Sequence, residues 1–174
     1  MTSGPRTPNP EPPALIAYTD GGCRGNPGIG SWAFALVNPA SGTALERSGG
    51  ERETTNNRME LTGAIEVLKA LRREVAVVLH SDSEYVIKGM REWVAGWKRR
   101  GWRKSDGKPV INADLWQALD AEAARHTVHW TWVRGHAGHA GNEHVDQLCN
   151  EAMDRMAAGG DILWERRGPW TLTL

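Results

Sequence analysis

Short apolar runs separated by polar, glycine-rich breaks open the chain, and a helical period follows them. Residues 15–18 (LIAY) are mostly apolar and suit a buried strand, and GGCRGNPG after them reads as a turn with Asp20 at the junction. Residues 29–37 (IGSWAFALV) predict a second strand, NPASG a turn, and residues 43–48 a third strand. The three form an antiparallel meander with the second strand in the middle, so the first keeps an edge free to pair again.

Asn56 or Asn57 caps a helix predicted over 58–73, whose stripe of Leu61, Ile65, Leu68 and Leu71 recurs at the helical period. Asn57 followed by Glu60 has the spacing of a capping box, and Glu60 falls in the first turn. Residues 75–79 (VAVVL) are continuously apolar, as in a strand covered on both faces, and end at His80-Ser81-Asp82. The helix between is then the crossover of a β-α-β unit, which sets this strand parallel to the first. Ligands bind beyond the C-terminal ends of such strands, where Asp20 and Asp82 fall. A short helix from Glu84, a basic segment, and a helix opened by Asn112 or Ala113 with Leu115, Leu119 and Ala123 inward come next. Residues 128–132 alternate as a fifth strand, and RGHAGHAG (134–141) reads as a mobile loop. Asn142 caps a last helix to residue 157, with Asp146 one turn inside. The tail, 158–174, has no clear period and receives no element.

At 174 residues, 40% hydrophobic and 24% charged, the chain is expected to form one globular domain, residues 14–157. Residues 1–13 carry five prolines and no apolar core of a signal peptide, and read as an extended arm. No apolar run has the length of a membrane span. A cytoplasmic monomer without membrane partners is the expectation. Cys23 and Cys149 make no disulfide framework. Net charge is zero, but Lys88 to Lys108 holds eight basic residues against two acidic ones, with Trp93, Trp97 and Trp102 interleaved. Flat apolar surface beside positive charge suits a sugar-phosphate chain; a solvated helix with its tryptophans turned inward is the plainer alternative.

Four carboxylates, Asp20, Glu60, Asp82 and Asp146, thus come from two strand ends and two helices that converge on one sheet edge. So many like charges in a low dielectric raise one another's pKa values unless cations compensate. Two divalent ions about 3.5 to 4 Å apart would neutralise them, generate an attacking hydroxide and stabilise a phosphodiester's leaving oxygen. Oxygen-only donors favour Mg²⁺, with Mn²⁺ as substitute, over zinc.

YTDGGCRGNPG, TTNNRMEL, LHSDSEYV and WVRGHAGHAGNEHVDQL, in this order and with WKRRGW between helices, resemble the bacterial type 1 ribonuclease H family from about residue 14 to 157. The resemblance implies an α/β ribonuclease H-like fold: a five-stranded mixed sheet, order 3-2-1-4-5, with helices on both faces. It implies an endonuclease that hydrolyses the RNA strand of RNA/DNA hybrids, leaving 5′-phosphate and 3′-hydroxyl ends. Asp20 would bridge two metals, Glu60 and Asp82 would complete the first site and Asp146 the second, with Glu143 tuning that second site. His136 matches the loop histidine that assists proton movement and product departure, a task suited to an imidazole on a glycine-flanked loop. Asn26, Asn56 and the Gly21, Gly22 and Cys23 backbone would meet the RNA strand. Thr55 and Asn112 would hold a DNA phosphate, and Trp93, Lys98, Arg99 and Arg100 would border the DNA groove. Glu84 and Glu53 depart from the glutamine and arginine common at those places, which points to weaker hybrid affinity or stronger metal dependence. A zinc site of His136, His139 and His144 lacks a fourth ligand at matching spacing. The competing functions are a non-catalytic hybrid or double-stranded RNA binder, and a DNA-directed relative of the same fold.

Overall fold

The computed structural model of the chain describes residues 14–135 and 137–174; the proline-rich arm lies outside them. Strands β1 (Leu15–Arg24), β2 (Gly28–Asn38) and β3 (Thr43–Thr54) form the antiparallel meander. Helix α1 (Asn56–Lys69) crosses over to β4 (Ala76–Ser81), which lies parallel to β1. Next come α2 (Glu84–Lys88), a π-helical turn (Gly89–Trp93), α3 (Val94–Arg99) and α4 (Ala113–Ala123). Strand β5 (Thr127–Trp132) pairs parallel to β4, and α5 (Ala140–Ala157) follows.

The sheet has six strands, not five. Residues Trp164–Pro169 form β6, antiparallel to β3, and the order is β5-β4-β1-β2-β3-β6. The tail was illegible as a strand because WERRGP has no alternation of apolar and polar residues. Its ladder partner supplies the order its sequence lacks. Other differences are local. Strand β1 runs past Asp20 to Arg24, so Asp20 sits inside a strand whose parallel pairing to β4 stops at Tyr18. Beyond that point β1, β2 and β3 continue as a three-stranded arm, β3 through the polar GGERET. Thr55, not Asn56 or Asn57, caps α1, its hydroxyl accepting from the Arg58 N–H at 3.3 Å. His139, not Asn142, caps α5, its Nδ1 accepting from the Asn142 N–H at 3.4 Å.

Strand alternation divides the core into two layers. On one face Ala17, Trp32, Phe34, Val77 and Leu79 pack with α1, Trp116 and Leu119. On the other, Tyr18, Ala33, Ala35 and Val37 pack with Val145, Leu148 and Cys149 of α5. Trp116 is fully buried and donates through Nε1 to the Tyr85 hydroxyl at 3.0 Å, so the indole loses no hydrogen bond by burial. Trp93, Trp97 and Trp102 pack partly buried on the same layer. The tryptophans of the basic segment are thus turned inward. No helix among the described residues is long and apolar enough to cross a membrane.

Candidate active site

The carboxylates meet because close packing puts their elements together. A Cβ at Gly21 would stand 2.2 Å from the Met59 carbonyl carbon and 2.3 Å from the Glu60 nitrogen. Only glycine lets α1 lie this near β1, which brings Glu60 beside Asp20. On the opposite face, residues two apart in β1 point the same way, so Tyr18 and Asp20 both face α5. A Cβ at Gly141 would lie 2.4 Å from the Tyr18 ring. That second close approach seats the start of α5, and Asp146 comes to Asp20.

Asp20, Glu60, Asp82 and Asp146 line one hollow of about 330 Å³, together with Gly21, Gly22, Cys23, Arg24 and Asn56. A larger hollow of about 1120 Å³ lies at the other end of the sheet, by Leu15, Val75 and Arg73. It is the roomier of the two, but it lies at the N-terminal ends of the parallel strands and gathers no carboxylate cluster, so the smaller hollow is the candidate site.

Asp20 is 8% exposed, and its carboxyl is pushed up to about 8 by burial first, then by the charges of Asp82 and Asp146. The Gly21 N–H, donating to its Oδ1 at 2.9 Å, opposes this only in part. Burial also raises Glu60, and Asp82 adds to it, while the Ser83 hydroxyl, donating to Glu60 Oε2 at 2.6 Å, pulls the other way. Asn142 Nδ2 donates to Asp82 Oδ2 at 3.4 Å. Among the described residues no three His, Cys, Asp or Glu side chains are drawn together tightly enough to hold one ion as they stand. Asp20 and Asp146 nevertheless come within hydrogen-bonding reach of each other, a contact that requires a proton on one of them and adds to the rise of Asp20.

Two residues that orient carboxylates, Ser83 and Asn142, were missed in the sequence. The available signal for Ser83 was its place as N-cap of α2, where it also accepts from the Val86 N–H at 3.2 Å. His136 lies outside the described residues. His139 and His144 do not converge: His139 packs against Tyr18 and His80, while His144 pairs with buried Glu46. The described pair therefore gives no support to a zinc site.

Around the hollow, Asn26 Oδ1 accepts from the Asn56 N–H at 3.2 Å, tying the β1–β2 turn to the start of α1. Asn112 adopts a left-handed backbone (φ 59°), and its Oδ1 accepts from Arg58 at 3.3 Å. Arg58 thus meets Thr55 through its backbone N–H and Asn112 through its guanidinium, which also makes a two-pronged pair with Asp114 at 3.0 and 2.8 Å; the sequence pattern gave no signal for this cation. Farther out, Lys98 pairs with Asp120 at 3.0 Å, and Arg100 donates back to the Arg103 carbonyl at 3.1 Å. Arg99 stands exposed between them, and Trp93 is half-buried against Tyr85, Trp97 and Trp116. Glu84 forms an ion pair with Lys88 at 3.7 Å, which offsets part of its negative charge.

The RNase H family model matches residues 12–154. A protein named Ribonuclease H from Pseudomonas entomophila is 58% identical over 141 residues, covering 81% of this chain and 94% of its own length. Another of that name, from Alkalilimnicola ehrlichii, is 56% identical over 146 residues, covering 84% of this chain and 99% of its own length. The crystal structure of LC9-RNase H1, described as a type 1 RNase H with the type 2 active-site motif, superposes with a TM-score of 0.75. It is 35% identical and covers 88% of this chain and 78% of that one.

Proposed function

The chain belongs to the ribonuclease H family of enzymes, and from that premise we propose an endonuclease that hydrolyses the RNA strand of RNA/DNA hybrids with two divalent cations, leaving 5′-phosphate and 3′-hydroxyl ends. The observation that carries this reading is the single hollow lined by carboxylates from β1, α1, the end of β4 and α5, with Asp20 pushed up to about 8 by burial first and then by the charges of Asp82 and Asp146. A protein gains nothing in stability from such a cluster; cations repay it.

The donor set fits Mg²⁺ in kind, being oxygen-only and strongly negative, with Mn²⁺ as substitute. Asp20, Glu60 and Asp82 would hold one ion, Asp20 and Asp146 the other. When bound, such ions activate the attacking water and stabilise the departing oxygen. The residues do the rest. Ser83 fixes one oxygen of Glu60 and Asn142 one oxygen of Asp82, which orients both carboxylates in the hollow. His136, which lies between β5 and α5 in the sequence, moves a proton near the leaving group and helps product depart.

Substrate choice follows from what surrounds the carboxylates. Asn26, Asn56 and the backbone of Gly21, Gly22 and Cys23 offer donors and acceptors suited to a 2′-hydroxyl, which only the RNA strand carries. Thr55 and Asn112, assisted by Arg58, take a phosphate of the DNA strand. Lys98, Arg99, Arg100 and Trp93 border its groove. The partner is a hybrid duplex.

The test is cleavage of an end-labelled RNA/DNA hybrid with and without Mg²⁺, beside matched RNA/RNA and DNA/DNA duplexes, with product ends mapped. Metal-dependent cutting of the hybrid's RNA strand alone is expected. A hybrid that is bound and left intact would refute the enzyme reading and leave a binding module.

A further inference from the structure

The family match ends at residue 154, yet the chain continues through β6 to Leu174. This segment is built into the site's support. Six registered pairs join β6 to β3, from Ser48↔Trp164 to Thr43↔Pro169, and the Trp170 N–H donates to the Gly42 carbonyl at 2.8 Å. Arg47 Nε donates to Glu165 at 3.0 Å across the same edge. Trp170 is thereby delivered onto the α5 face of the sheet, in the layer that contains Tyr18, Val145 and Leu148.

There its ring stacks on Tyr18, with centroids 5.7 Å apart and planes 10° from parallel. It also meets the His144 ring edge-on at 5.6 Å. Tyr18 in turn stacks on His80 at 5.1 Å and touches His139 at 5.7 Å. The Trp170 Nε1 is buried with no hydrogen-bond partner, so stacking and the backbone hold this ring. Tyr18 lies two residues before Asp20 on the same face. His139 caps the helix that carries Asn142 and Asp146, and His144 lies on its second turn.

We propose that the C-terminal strand and Trp170 are a positioning element: the indole bridges Tyr18 of β1 to His144 of α5 and so sets the first turns of α5, with Asp146 and Asn142, against Asp20 and Asp82. Trp170 touches none of the residues assigned to the hybrid, so its contribution falls on the arrangement of the carboxylates and not on substrate affinity. This inference rests on the hybrid-cleavage reading above.

The experiment compares Trp170→Ala, Trp170→Phe and a chain ending at Ala158 with the wild type, each well below its own melting temperature so that all are folded. Four quantities are read: kcat and KM on the hybrid, the Mg²⁺ concentration giving half-maximal rate, and hydrogen exchange of the Asn142 and Glu143 amides without metal or substrate. For Trp170→Ala and the shortened chain we expect kcat to fall about tenfold, half-saturating Mg²⁺ to rise about tenfold, and KM to stay within about twofold. The two amides should exchange about tenfold faster, and Trp170→Phe, which keeps a ring to stack, should stay near the wild type on every measure. Unchanged kcat and exchange in Trp170→Ala would overturn the proposal, as would a loss of activity that only tracks the fraction unfolded. If the wild type itself leaves hybrid intact, the cleavage reading falls, and the exchange data, which need no substrate, still decide the brace.

Discussion

Replacing Asp20 by Asn separates stability from function, since the same carboxyl that metal chemistry needs is a burden on the metal-free fold. Its pKa stands near 8 in the folded chain against an ordinary 3.8. A raised carboxyl favours folding only while protonated: this contribution is complete below the unfolded value and is lost as pH rises through the folded one. Each pH step between the two values is worth about 1.4 kcal/mol, so at pH 7 the metal-free fold carries at most about 4 kcal/mol of strain from this group. The Asn amide takes the same buried place and has its own hydrogen bonds to satisfy there, which leaves an expected gain of about 1 to 3 kcal/mol for Asp20→Asn. In a chain of this size that is a rise in Tm of about 3 to 10 °C.

The assay is thermal unfolding in EDTA at pH 5, 7 and 8 for wild type and variant, then with Mg²⁺ added at pH 7. The gap should widen from pH 5 to 8, and Mg²⁺ should narrow it by stabilising the wild type. Cleavage of hybrid by Asp20→Asn should be abolished while binding persists. A gap independent of pH, or a variant less stable than wild type in EDTA, would refute the electrostatic account of the hollow; full cleavage by the variant would refute the two-metal scheme.

Other expectations follow from single contacts. Ser83→Ala removes both the cap of α2 and the donor to Glu60; denaturant titration should show a loss of about 1 kcal/mol, and steady-state assays a higher Mg²⁺ requirement. His136→Ala should slow kcat by roughly 10- to 100-fold with hybrid binding intact, measured in single-turnover reactions. Neutralising Lys98, Arg99 and Arg100 together should raise KM and flatten its dependence on salt; an unchanged KM would move the binding surface elsewhere.

What the sequence by itself determined was the set of local patterns and the chemistry riding on them. Apolar runs, helical stripes and turn residues identified the meander, the β-α-β crossover and α5, and the order of four short motifs located Asp20, Glu60, Asp82 and Asp146. These signals are legible because strand and helix periods repeat within a few residues of themselves. The tertiary structure alone decided what depends on partners distant in the chain. Strand β6 exists through its ladder to β3, Thr55 and His139 take the caps from better-ranked asparagines, and Arg58 joins Thr55 to Asn112. Asp20's carboxyl rises to about 8 because the closed layers bury it, and further because α5 and the end of β4 bring Asp146 and Asp82 to it. Spacing names the groups that carry charge; burial and the distance between groups on different elements set its energy, and both arise when the layers close.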